Sequence, residues 1–158
     1  VGRIDRIRPY VEKLLKEGFN IHDLAPDPDG DYPFRYRSAG YFVRLYNEPA
    51  PTVQLFSVVV RDIKRTPKLL SKLNDINAGA AFVRVYWLDH KVIASTELVA
   101  ETLDGEELGN ACNVVGGVAD AIGRGLVADF GGHVLFEEGD DAEPASANPR
   151  QAEAAGYL

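Results

Sequence analysis

Residues 42–46 read Phe-Val-Arg-Leu-Tyr, and residues 82–86 read Phe-Val-Arg-Val-Tyr. Side chains alternate along an extended strand, so each segment has two sides: Phe, Arg and Tyr on one, two aliphatics on the other. A helix would scatter that pattern around its circumference, so both segments are expected to be strands with one buried face. The echo is either an internal repeat or the convergence of two amphipathic strands. In both cases it fixes which residues share a face.

Hairpin geometry extends the assignment to their neighbours. Strands are expected near Phe34–Ser38, at Tyr41–Tyr46 and at Thr52–Arg61, the last two joined through Asn47–Pro51 (NEPAP). A second hairpin pairs Phe82–Leu88 with Lys91–Leu98, turning at Asp89-His90. If Tyr46 pairs with Thr52, then Phe42 opposes Phe56 and Arg44 opposes Gln54. If Leu88 pairs with Lys91, then Arg84 opposes Ser95, with Glu97 diagonal to it. One face then holds Val43, Leu45, Val53, Leu55, Val83, Val85, Trp87, Val92, Ala94 and Leu98, and is the expected core. The other holds Phe42, Arg44, Tyr46, Gln54, Phe56, Arg84, Tyr86, Ile93, Ser95 and Glu97. Aromatic residues mixed with arginine have the composition of an interface. A solvated face of mutually shielding long side chains is the competing account.

Three helices are expected around these strands. The first carries Ile7, Val11, Leu14 and Leu15, with Pro9 in its first turn and Gly18 as terminator. Thr66-Pro67 opens the second, whose stripe is Leu69, Leu70, Leu73 and Ile76 and which ends at Gly79. Asp104 and Glu107 have the spacing of a capping box and open the third. Its apolar face runs through Leu108, Ala111, Cys112, Val115, Val118, Ala119, Ile122 and Leu126. Gly116, Gly117, Gly123 and Gly125 fall in or near its interior, each costing about 1 kcal/mol relative to Ala. Close backbone approach along Gly109, Gly116 and Gly123 is the expected compensation, to the sheet or to a second subunit.

The order helix-strand-strand-strand-helix-strand-strand-helix makes an α+β domain, an antiparallel sheet with helices packed on one face. Residues 1–136 are expected to form that single domain. Residues 137–158 are acidic, rich in Ala and Pro and nearly without large apolar residues, and are expected to be a disordered tail.

The order and lengths resemble the type III secretion chaperone-like fold, and more closely the YbjN-type proteins grouped with those chaperones. The resemblance is carried by 73–108, LNDINAGAAFVRVYWLDHKVIASTELVAETLDGEEL. A helix ends in Leu73, Asn74 and Asn77. A Phe-x-Arg strand follows with Phe82 and Arg84. A Val-rich strand returns to Glu97 and Leu98, and a capped acidic turn starts the last helix. The element order extends the match from about Ile4 to Phe130. The resemblance implies a bacterial peptide-binding module.

Composition agrees with a binder of proteins. A net charge of -7 disfavours nucleic acid and anionic membrane as partners, since both are held by concentrated Lys and Arg. The single cysteine, Cys112, permits no intramolecular disulfide, which fits a reducing compartment. No basic-then-apolar signal segment opens the sequence, and no apolar run approaches the roughly 20 residues of a membrane span.

Catalytic and metal patterns fail individually. His22, His90 and His133 fall in a loop, a turn and a post-helix segment, without His-x-x-x-His spacing. Cys112 lies on an apolar helix face, where a thiol is inert. In 25–32, APDPDGDY, Gly30 precedes Asp31, and Ser38 stands where a calcium loop needs Glu. Gly123-Arg124-Gly125 does not follow a strand and open a helix, so it is no phosphate loop.

The expectation is therefore a non-enzymatic, cytoplasmic homodimer that captures a protein or peptide client, with no cofactor and no metal. The expected partner site is Phe42, Arg44, Tyr46, Phe56, Arg84 and Tyr86. A folded partner docking on the same face is the alternative, and a small-molecule-binding protein or enzyme is a third.

Overall fold

The computed structural model describes residues 2–136. The expected tail, residues 137–158, lies outside the described residues. Helix α1 spans Arg3–Phe19, strands β1, β2 and β3 span Tyr32–Tyr36, Ala39–Tyr46 and Thr52–Arg61, and α2 spans Pro67–Gly79. Strands β4 (Arg84–Leu88) and β5 (Lys91–Val99), a short 3-10 turn and α3 (Gly105–Phe130) complete the order. The expected α+β order is present.

The five strands form one antiparallel sheet in the order β1-β2-β3-β5-β4. The chain leaves β3 through α2, reaches the far edge as β4, and turns back so that β5 fills the gap. The hairpin parity holds: Phe42 faces Phe56, Arg44 faces Gln54 and Tyr46 faces Thr52. Arg84 faces Ser95 and Leu88 faces Lys91. Asp89 and His90 both take positive φ, 47° and 62°. That is the conformation a two-residue turn needs to match the twist of its strands.

The aliphatic face carries the core in two parts. Val43, Leu45, Val53 and Leu55 pack with Val11 and Leu15 of α1 and Leu108, Cys112 and Val115 of α3. Val60, Val85, Val92 and Ala94 pack with Leu69 and Leu73 of α2 and Ala119 and Leu126 of α3. Helix α3 contributes to both parts, packing across β1, β2, β3 and β5, while α2 covers the edge strand β4. By length and composition α3 is apolar enough to cross a membrane, but in this fold its apolar side is spent on the sheet.

Local chemistry corrects four boundaries. Helix α1 begins earlier than expected, because Asp5 accepts a hydrogen bond from the Gly2 amide and caps Arg3 onward. Pro9 is therefore inside the helix, not in its first turn. Termination falls not to Gly18 but to Asn20, which takes φ 53° while the Ile21 amide bonds the Lys16 carbonyl. The first strand starts at Tyr32, ahead of the expected Phe34, because Tyr32 and Pro33 pair with Val43 and Phe42. The fourth begins at Arg84, since Phe82 takes a positive φ of 62° that breaks an extended run.

Helix α3 continues through all of its glycines, capped by Asp104, whose carboxylate accepts from the Glu107 amide at 2.8 Å. A Cβ at Gly116 would lie 2.6 Å from Cβ of Tyr36, and one at Gly123 would lie 3.2 Å from Val134 and 3.5 Å from the Val59 carbonyl. Close approach to the sheet is thus real at two of the three expected positions. Gly109 has nothing within 4 Å.

After α3 the chain turns through Gly131-Gly132, and His133 pairs with Arg61 at the end of β3. Val134 then meets α3, while the Leu135 side chain sits over Gly40. Phe136 lies under the Arg35 guanidinium, 3.7 Å from the ring centre. Gly40 and Arg35 oppose each other with the same parity as Phe42. The chain has therefore crossed from the helix side to the other face.

Candidate functional site

Strands β2, β3, β5 and β4 bring the six expected site residues to one face, because the sheet parity that buries Val43 and Val85 turns their neighbours the other way. They form two Arg–aromatic units. In the first, the Arg44 guanidinium lies over the Phe56 ring at 4.8 Å. Its Nε donates to Asp31 Oδ1 at 2.8 Å and its terminal nitrogen to Oδ2 at 2.5 Å. This two-pronged bond raises the Arg44 pKa further, against a smaller opposing effect of burial. In the second, the Arg84 guanidinium lies over Tyr86 at 5.4 Å. Its Nε donates to Ser95 Oγ at 3.0 Å and its terminal nitrogen to Glu97 Oε1 at 2.5 Å. Gln54 donates to the same Glu97 oxygen at 2.9 Å and links the units.

Exposure separates the six. Arg44 and Arg84 are exposed, while Tyr46, Phe56 and Tyr86 are half-buried. Phe42 is not part of an accessible surface: it is 4% exposed and stacks on Phe56 with ring centres 5.3 Å apart. It is the floor under the first unit. Burial, and next the Glu97 charge, raise the Tyr46 phenol above its ordinary pKa, so it remains a neutral donor and acceptor.

The acidic loop before β1 supports this face. Asp27 Oδ1 accepts from the amides of Asp29 and Asp31, both at 2.9 Å. This turn presents the Asp31 carboxylate to Arg44. Sequence reading rejected the loop as a calcium site but missed this role, although the run of aspartates beside an arginine-bearing strand was its signal. Asn77, near the end of α2, holds the edge of the sheet. Its amide donates to the Val85 carbonyl and its oxygen accepts from the Val85 amide, both at 2.7 Å. In an antiparallel hairpin closed by Leu88 and Lys91, those two groups point off the sheet's edge. Asn77 occupies them as a strand would.

The histidines do not converge: His22 and His90 are exposed in a loop and a turn, and His133 joins the sheet through its backbone. Among the described residues no cluster of three or more His, Cys, Asp or Glu side chains could hold a metal ion. Burial pushes the Cys112 thiol up to about 12, against a hydrogen bond from Tyr41. At neutral pH it is a protonated, non-nucleophilic thiol.

A single antiparallel sheet with helices packed on one side fits a binding module of the secretion-chaperone class. The family model described as T3SS (YopN, CesT) and YbjN peptide-binding chaperone 1 matches residues 5–138, and the chain belongs to that family. The fold is similar to a chain in the crystal structure of the ExsC-ExsE complex, with a TM-score of 0.58 and 17% identity. The match covers 78% of this chain and 96% of that one. No curated protein sequence matches the chain.

Proposed function

We propose that the protein is a non-enzymatic chaperone that holds a segment of a client protein noncovalently on the sheet face carrying Arg44, Tyr46, Phe56, Arg84 and Tyr86. Membership of a peptide-binding chaperone family supports the class of partner. The observation that supports this face is the pair of guanidinium groups over aromatic rings, Arg44 on Phe56 and Arg84 on Tyr86. Rings supply apolar area, and each guanidinium keeps donors for a peptide carbonyl or carboxylate. Phe42 stiffens the unit from below. We place the protein in the cytoplasm as a homodimer; its one reduced, buried cysteine is compatible with that compartment.

The ion pair with Glu97 is the main rival explanation for Arg84. An exposed pair of that kind contributes about 0–1 kcal/mol and needs no client. A peptide array covering the source proteome supplies a binding segment for the test. Tyr86→Ala and Arg84→Ala are each expected to weaken that segment by more than about 1 kcal/mol while the fold persists. Unchanged affinity in the double variant would show that the face is only a solvated surface.

A further inference from the structure

The other side of the sheet is open near the start of α3. Thr96 and Leu98 point toward the helices, but there α3 has only begun. Between β5 and the first turns of α3 lies a groove of about 630 Å³, within the usual range of ligand pockets of about 300–1,000 Å³. Leu98, Ala111 and Val114 give it an apolar lining. Phe82 stands at its lip with 87% of its surface exposed. That ring adds nothing to the core, and its backbone takes φ 62°, a strained conformation for a bulky residue. Glycine or asparagine would make the same turn with less strain.

The rim is acidic. Asp104, Glu106 and Glu107 line the groove, and no lysine or arginine does; Glu97 also borders it, but its carboxylate is paired with Arg84 on the other face. Asp104 caps α3, and carboxylates suit a helix N-terminus, which accounts for acids there. It does not account for an apolar floor and a solvent-exposed phenyl ring beside them. We propose that this groove is a second recognition site, taking a client segment in which a large apolar side chain is flanked by lysine or arginine. Charge selects this occupant over the two nearest at hand. Residues 137–158 carry six carboxylate side chains (Glu137, Glu138, Asp140, Asp141, Glu143 and Glu153) against Arg150 alone. A second copy brings the same net charge of -7. The site lies across the sheet from the Arg–aromatic face and does not rest on that reading.

A fluorescein-labelled dodecapeptide with a central Leu-Phe and two lysines on each side tests it by anisotropy against the full chain. Companion peptides replace the lysines by glutamates, or Leu-Phe by Ser-Ser. The basic apolar peptide is expected to bind about ten-fold or more tighter than either companion. Phe82→Gly removes the ring and suits the positive φ, so the thermal midpoint should hold while affinity falls about five-fold or more. Glu106→Lys with Glu107→Lys should weaken binding similarly, whereas Asp129→Lys at the far end of α3 should change it less than about two-fold. Equal loss with Asp129→Lys would reduce the effect to general charge and overturn the proposal. So would unchanged binding in Phe82→Gly, or a change in oligomeric state there with peptide affinity intact, which would make the groove a contact between copies. Loss at Phe82 with intact capture by Tyr86 and Arg84, or the reverse, shows that the two sites fail separately.

Discussion

At the scale of single residues, the same packing that silences Cys112 makes the fold sensitive to alkali. Its folded pKa of about 12 exceeds the unfolded value of about 8.5, so the unfolded chain releases that proton first. The contribution is complete below the unfolded value and is lost as pH rises toward the folded one. Tyr41, raised mainly by burial, acts in the same direction. Urea midpoints should therefore fall between pH 8 and pH 10.5, and the native thiol should resist a disulfide reagent that labels the unfolded chain at once. The α3 glycines give a paired expectation. Gly116→Ala should destabilise by about 1–3 kcal/mol, since its new methyl meets the root of the Tyr36 ring, not a movable tip. Gly125→Ala has open space and should stabilise by up to about 1 kcal/mol. Thermal melts of the two decide. Sequence spacing located the glycine stripe, but only packing could tell Gly116 from Gly109. Parity likewise placed Phe42 with the site residues. It could not show that Phe56 would cover it, because burial on a sheet face depends on what neighbouring rings do.

At the scale of elements, edge strand β4 depends on a side chain from α2. Asn77→Leu leaves the Val85 amide and carbonyl without partners and should cost about 1–3 kcal/mol in chemical denaturation. Asn77→Asp keeps the acceptor and loses the donor, so it should fall between the two. Most elements were legible because their signals are local: Thr66-Pro67 for α2, Asp104 for α3, the Asp89-His90 turn between β4 and β5. Errors arose where a local signal met a distant one. Pro9 reads as a first-turn residue, yet Asp5 and the Gly2 amide start α1 at Arg3, so that Pro9 lies inside it. The irregular register between Val58 and Val60 was also invisible. It buries Val59 and Val60 together, and alternation alone forbids that.

At the scale of the whole molecule, the residues that follow α3 wrap the sheet's rim. Leu135 fills the space over Gly40, and Phe136 stacks under Arg35. A chain ending at residue 138 is expected to melt within error of the full chain. One ending at His133 should melt several degrees lower, because it removes the half-buried side chains of Leu135 and Phe136, each contributing about half of the roughly 1.5–3 kcal/mol of a fully buried one. Equal midpoints for the two truncations would show that the rim contact carries no stability. The sheet's layering was readable from the sequence, since two echoing strands and their hairpins fixed both faces. The wrap was not: 133–136 is too short to carry a period, and its partners on the sheet, Arg61, Gly40 and Arg35, lie far earlier in the chain.

That crossing has a practical consequence for anyone handling the protein. A tag, dye or bead attached directly after Phe136 begins its path on the Arg–aromatic side, beside Arg35. There it would crowd the proposed client face. Anchoring through the start of α1 holds the molecule by the turn at Asn47 instead, where Ile4 is tethered through its amide. Baits displayed in the two orientations should recover different amounts of the same catch.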